Sequence, residues 1–332
     1  MSRYFAESPD DLVDAGLAGF ALAHADLVEF TPDPGHVTAR SPDPRRVVGL
    51  VSGGGSGHEP LHAGFVGAGM LDAACPGRIF ASPHNRQVYA ASKAVAKPGG
   101  VLHVVKNYTG DKINFGIAAE RLHHDGIRCA RVLVDDDVAT DSADIAVGRR
   151  GTGATVVVEK LLGAAADQGR DLDALVALGE RVAAGSRSVA VAAAAHTSPA
   201  TGTPAFDLPD DGIEYGVGIH GERSGAVRPH GPVDDLVRDM TGSLVTALTL
   251  TRGDRVIGLV NGLGRTTPLE LYGLHHRFAT ALAEHGVALE RHLVGSVVTA
   301  LDMHGFSLSL TRTDDELTAL WDAPAHTAAW PA

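Results

Sequence analysis

Cysteine is almost missing. The chain of 332 residues has two, Cys75 and Cys129, and no C-x-x-C spacing. That excludes a disulfide framework and cysteine-based zinc or redox motifs, and both thiols are expected to be free and buried. Clustered positive charge is missing too. Lys and Arg total 28 against 40 Asp and Glu, a formal charge of −12, and no run of five basic residues occurs. Nucleic acid as the main partner is excluded, because phosphate binding needs such clustering. No apolar run reaches the roughly 18 residues of a membrane span. The start, Met1-Ser2-Arg3-Tyr4, lacks the apolar core of a signal peptide. A cytoplasmic protein without membrane contact is expected. Aromatics are scarce at 5%.

What is present is ordinary for a globular protein: 44% apolar and 20% charged residues. The length predicts one large or two medium domains. Short β-branched runs at 47–52, 101–106 and 129–134 read as buried strands, with helical patterns at 87–96 and 113–124 between them. That rhythm predicts a largely parallel sheet covered by helices. Segment 154–168 reads as a helix apolar on one side, and 172–184 as another, capped by Gly185. A second series follows: strands at 188–195, 213–219, 256–261, 289–298 and 307–310, with helices at 233–250 and 269–284. Segment 197–212, rich in Pro, Thr, Gly and Asp, reads as a loop. The expected fold class is α/β: two consecutive α/β domains, residues 1–185 and 186–332, with mostly parallel or mixed sheets and helices on the faces.

Three motifs match well-known patterns without their context. His58-Glu59-Pro60-Leu61-His62 spells H-E-x-x-H, but zinc ligation needs both histidines on one face of a continuous helix. Pro60 belongs at a helix start, which leaves His58 outside, so no metal site is expected. Residues 216–221 spell G-x-G-x-x-G, yet Pro229 and Pro232 follow soon after and the segment reads as a loop. A dinucleotide fingerprint must instead open a helix. Gly53-Gly54-Gly55-Ser56-Gly57 lacks the G-K-[ST] ending of a P-loop. As a strand-to-helix turn it is either a plain tight turn or a cradle of backbone N–H groups for an oxygen-rich ligand.

The loops after the first three strands, 52–60, 106–111 and 135–137, should converge at the carboxyl edge of a parallel sheet. They bring together His58, Lys106 and Asp111, an acid/base set. His220 lies between Gly218 and Gly221, which would expose its ring.

These blocks carry a resemblance. Ser52-Gly53-Gly54-Gly55-Ser56-Gly57-His58-Glu59-Pro60, the 106–111 run with Asn114-Phe115, and the runs 134–138, 148–151, 216–222, 259–264 and 296–308 are similar, in order and spacing, to the dihydroxyacetone kinase K-subunit family. The resemblance implies a short ketose held as a hemiaminal on His220. It implies His58 and Asp111 as the acid/base pair, and Gly55, Ser82 and Lys106 as grips on substrate hydroxyls. It implies a homodimer that binds no nucleotide itself. ATP or ADP with Mg2+ would sit on a separate L-type subunit, itself charged in some systems by a phosphotransferase-system protein. Non-catalytic relatives that sense dihydroxyacetone should lose the acid/base pair, and here both members are present. The chain departs from the family pattern at Arg223-Ser224-Gly225, at His84-Asn85-Arg86-Gln87 and at Arg265-Thr266-Thr267. Arg223, His84 and Arg86 would add donors near the pocket, which suits a substrate longer than three carbons, such as erythrulose.

Overall fold

Two six-stranded sheets organise the chain, in a computed structural model that describes residues 4–141 and 148–331. The first half contains β1 (Val28–Thr31), β2 (His36–Ala39), β3 (Gly49–Ser56), β4 (Gly67–Ala68), β5 (Ala73–Ile79), β6 (Val101–Lys106) and β7 (Cys129–Val134). Its helices are α1 (Pro9–Ala23), α2 (Asn85–Val95), α3 (Thr109–His124), α4 (Ala154–Asp167) and α5 (Leu172–Ala184). The first sheet runs β1-β2-β5-β3-β6-β7, and β5, β3, β6 and β7 are mutually parallel. The expected parallel sheet is therefore present, with an antiparallel β1–β2 hairpin added at one edge.

The second sheet is built from β8 (Ser186–Ala194), β9 (Gly212–Tyr215), β10 (Ala226–Pro229), β11 (Arg255–Gly262), β12 (Ala288–Gly295) and β13 (His304–Arg312). Its order is β10-β9-β8-β13-β11-β12, and only β11–β12 is parallel. It is the mixed alternative. Helices α6 (Val233–Ala247), α7 (Pro268–His285) and α8 (Asp315–Asp322) belong to this half. The start of α7 is written in its sequence: Thr267 and Glu270 form a capping box around Pro268, and Gly286 closes the helix at φ 72°. A last short strand, β14 (His326–Thr327), returns to pair with β4.

Helix α4 corrects one expectation. It is not apolar on one side only: residues 154–166 are all buried. A helix hydrophobic all round needs apolar neighbours on every face, and α4 has them, touching β6 and β7 of one sheet and β8 and β13 of the other. The apolar cluster around it joins Val104 and Val134 to Ile257 and Leu259. Gly163 permits this closeness, since a Cβ there would lie 2.3 Å from the Gly69 carbonyl oxygen. Two ionisable residues, Glu159 and Lys160, are buried with it, at a cost of several kcal/mol per ion unless partners are supplied. Lys160 donates to the Leu320 carbonyl at 2.8 Å, and burial lowers its pKa to about 8.

Candidate functional site

The parallel strands deliver the polar loops to one edge. β3 ends at Ser56, β5 at Ile79, β6 at Lys106 and β7 at Val134, each running into a segment singled out by sequence. The glycine-rich run corrects another expectation. Gly53, Gly54, Gly55 and Ser56 are strand, not a strand-to-helix turn. Glycine is required there by close approach. A Cβ on Gly53 would stand 2.6 Å from the Cys75 carbonyl oxygen, on Gly54 2.2 Å from Lys106 Nζ, and on Gly55 2.7 Å from the Ala81 nitrogen. Residues 58–62 are not helical, so His58 and His62 share no helix face. Residues 216–221 open no helix either.

His58 and His220 meet at this edge, with ring centroids 4.8 Å apart and nearly edge to face. His58 is wholly buried. Its Nδ1 lies 2.7 Å from the Thr299 carbonyl oxygen. A carbonyl only accepts, so Nδ1 carries the proton and Nε2 keeps its lone pair. That Nε2 is buried and has no partner. Burial, then the positive fields of His220 and Lys106, hold the His58 pKa well below the ordinary histidine value.

His220 is set by Glu222. The carboxylate takes the His220 backbone N–H on Oε2 at 2.9 Å and faces ring Nδ1 with Oε1 at 2.7 Å. Burial pushes the Glu222 pKa up, but the hydrogen bond and charge of His220, with Arg150, outweigh it and bring it to about 2. The carboxylate is thus ionised and acts as acceptor. In the neutral imidazole Nδ1 then holds the proton, and Nε2 offers a lone pair. Such a nitrogen can add to a carbonyl carbon. The Tyr108 ring stands edge-on to His220 at 4.6 Å, with its hydroxyl buried and unpartnered. Phe80, at a left-handed φ of 54°, stacks on His58 at 5.1 Å and meets His220 at 5.4 Å. An aromatic residue there stores about 1–3 kcal/mol of strain, a feature typical of binding sites.

Long-range ties hold the two histidines in place. Arg150 pairs with Asp137 at 2.6 Å and donates to the Gly216 carbonyl at 2.8 Å, anchoring the loop that carries His220. The Asn261 side chain accepts from the Val297 and Val298 N–H groups, both at 2.9 Å, and so fixes the turn that offers Thr299 to His58. Gly218 leaves room for the Glu222 carboxylate, which would have to move for a Cβ 2.1 Å from its Oε2.

Lys106 is buried, with Nζ 2.6 Å from His62 Nε2 and 3.4 Å from the Gly53 carbonyl oxygen. Burial lowers its pKa, against the fields of Asp111 and Glu159. Asp111 sits in the first turn of α3, buried, with Oδ1 unpartnered. Ser82 lies against Gly110, where a Cβ would come within 2.6 Å of its Oγ.

The other residues named from sequence lie away from the histidine pair or on the surface. His84 is exposed and caps α2, its Nδ1 accepting from the Arg86 N–H, with Gln87 completing the box. Arg86 is exposed on the same helix end. Arg223 is engaged by buried Glu214 at 2.9 Å. Cys75 is buried, but Cys129 is only half-buried because β7 is an edge strand. Sequence reasoning assigned no role to Glu222, Tyr108, Phe80, His62, Glu159 or Thr299. Glu222 and Tyr108 stand inside the runs 216–222 and 106–111, which is the signal that could find them; Glu159 is one polar residue in an apolar helix and gives none. Among the described residues no three His, Cys, Asp or Glu are placed to hold a metal, and no helix is long and apolar enough to cross a membrane.

This is a two-sheet α/β protein whose sheet edge holds a buried histidine against a half-buried one, with an acid and a lysine. The Dak1 domain family model matches residues 18–329, and the chain belongs to that family. It is 43% identical to the PEP-dependent dihydroxyacetone kinase, dihydroxyacetone-binding subunit DhaK of Escherichia coli, over 96% of both chains. It is 39% identical to the L-erythrulose 1-kinase of Mycolicibacterium smegmatis, over 98% of this chain and 58% of that protein. Among solved structures, the dihydroxyacetone kinase operon co-activator Dha-DhaQ superposes with a TM-score of 0.91 at 29% identity, covering 96% of this chain and 98% of that one.

Proposed function

We propose that this chain is the ketose-binding subunit of a two-component kinase, holding dihydroxyacetone or a similar short ketose as a hemiaminal on His220. The observation that carries this reading is the Glu222 carboxylate on His220 Nδ1, which leaves Nε2 free to attack a carbonyl. A polyol without a carbonyl would find no such bond. On addition, Nε2 bonds to the carbonyl carbon and the C=O π pair moves to oxygen; the ring gives up its Nδ1 proton through Glu222 to solvent, the oxygen gains one from solvent in exchange, and His58 Nε2 accepts a hydrogen bond from the resulting hydroxyl. Gly55, Ser82 and Lys106 position the substrate hydroxyls. Asp111 accepts the proton of the terminal hydroxyl as that oxygen attacks phosphorus. The phosphoryl group comes from a nucleotide with Mg2+ on a separate L-type subunit, and positioning supplies most of this chain's contribution to rate. A homodimer, a cytoplasmic location and, in some settings, a phosphotransferase-system protein upstream complete the reading. The name of the Escherichia coli relative, a PEP-dependent subunit, supports it.

A second reading, a non-catalytic sensor of dihydroxyacetone, is supported by the likeness to a co-activator. The presence of both His58 and Asp111 favours catalysis. A crystal structure with dihydroxyacetone tests the anchor: continuous density from His220 Nε2 to the ketone carbon is expected, and a non-bonded separation beyond about 3 Å would overturn it. The chain alone should turn over no ATP with dihydroxyacetone, and should gain activity with an L-type subunit. Turnover by the isolated chain would refute the two-component reading, and inactivity with a functional partner would favour the sensor.

A further inference from the structure

Behind the lysine lies a buried chain of polar groups that the reading above does not use. His62 Nε2 is 2.6 Å from Lys106 Nζ, and His62 Nδ1 is 2.6 Å from Glu159 Oε1. Ser52, His62, Lys106 and Glu159 are all buried. Ser52 sets the tautomer of the form in which Lys106 is charged. Its hydroxyl proton goes to the Val104 carbonyl at 2.8 Å, so towards His62 Nδ1, at 2.9 Å, the same oxygen must accept. Nδ1 therefore carries the proton and shares it between Ser52 and Glu159, while Nε2 accepts an N–H from Lys106. Every link from the carboxyl to the amine is in hydrogen-bond contact, in one direction and without water.

We propose that Glu159 and His62 form a buried proton relay that sets the charge of Lys106, with both acting as positioning residues for its amine. One proton moves from Lys106 Nζ to His62 Nε2 while the Nδ1 proton moves to Glu159 Oε1. This converts an ammonium and a carboxylate into an amine and a carboxylic acid, and the reverse move restores them. The charge at the sheet edge thus adjusts without solvent. Burial raises the Glu159 carboxyl to about 8, against the field of Lys106, and lowers the Lys106 amine, so burial works against the charged pair and towards the neutral one. The titratable groups facing Lys106 are His62 and Glu159 from one side, Asp111 on α3 and His58 across the site. Gly54 lies under the amine and leaves room for it.

The consequence for substrate rests on the ketose reading; the relay itself does not. The chain has five lysines, at positions 93, 97, 106, 112 and 160, so carbon-13 lysine labelling resolves each Cε in an NMR pH titration of the ligand-free protein. Glu159→Gln keeps the shape and removes the anion, and the Lys106 midpoint should fall by about one unit or more while the other four stay put. Glu159→Asp should restore part of the shift, and His62→Asn, which breaks the chain, should repeat it. A Lys106 midpoint that stays in place in both folded Glu159→Gln and folded His62→Asn overturns the relay. In parallel, dihydroxyacetone affinity of Glu159→Gln should fall about tenfold at pH 8, with the alkaline edge of its pH profile moved down. A shifted titration in a protein that binds no ketose leaves the relay standing and refutes the ketose reading. Normal ketose binding with an unshifted titration does the opposite.

Discussion

His58 and His220 face each other at 4.8 Å with their Nδ1 atoms tied to different partners, a carbonyl for His58 and a carboxylate for His220. The difference divides the work between them. A carbonyl fixes the tautomer and adds no full charge, so His58 stays a neutral acceptor. A carboxylate holds the ring by a charge-assisted hydrogen bond, which suits His220 to the nucleophile's part in the proposed function.

Glu222→Gln tests that division. The amide keeps a hydrogen bond to the ring and loses the charge. Charge-assisted hydrogen bonds are worth about 1.5–3 kcal/mol, so dihydroxyacetone affinity by calorimetry should fall roughly tenfold to a hundredfold. Unchanged affinity would show that Glu222 only shapes the loop.

Gly54→Ala tests the seat of the lysine. The new methyl would lie 2.2 Å from Lys106 Nζ and 3.3 Å from His62 Nε2. Overpacking of this kind costs about 1–3 kcal/mol, and the lysine must leave its seat. Ketose binding should be lost in a protein that still unfolds cooperatively. Retained binding would take Lys106 out of the proposed site.

Acid sensitivity provides a test away from the site. Burial, with Arg131 and His123, lowers the His103 pKa to about 3. Below about pH 6.5 the unfolded chain binds a proton here that the folded chain refuses, so stability falls with pH down to about 3. The slope for one group is about 1.4 kcal/mol per pH unit. In urea unfolding at pH 7 and pH 5, wild type should lose about 2 kcal/mol more than His103→Asn over that interval. Equal losses would mean that His103 takes up its proton without unfolding.

Substrate length provides the last test. His84 and Arg86 occupy the exposed end of α2. His84→Ala should therefore lower stability by about 1 kcal/mol, the worth of a helix cap. Both alanine variants should leave the erythrulose-to-dihydroxyacetone ratio of kcat/KM within about twofold, measured with an L-type subunit, because neither residue is placed to read a hydroxyl. A tenfold change would put these residues at the pocket after all.

Much of this protein is local information. The buried strand β6, the strand β7 (which proves to be a half-exposed edge) and the helices α5 and α7 follow from local runs, periodicity and caps. Strands β1 and β10 carry little pattern, four residues each with one buried side chain or none, and β5 is obscured by Pro76 and Gly77 inside its run. The His58, Lys106 and Asp111 loops were legible because a parallel sheet sends every strand end to the same edge.

The sequence by itself determined the α/β class and the polar loops at the strand ends, because hydrophobic period and turn chemistry act over short stretches. Only the tertiary structure decided which lone pairs are free. Thr299 reaches His58 from the far half of the chain, Arg150 holds the His220 loop, and α4 carries Glu159 in beside His62. None of these partners is near in sequence. A buried proton goes to whichever acceptor packing brings within hydrogen-bond reach, and packing belongs to the whole fold.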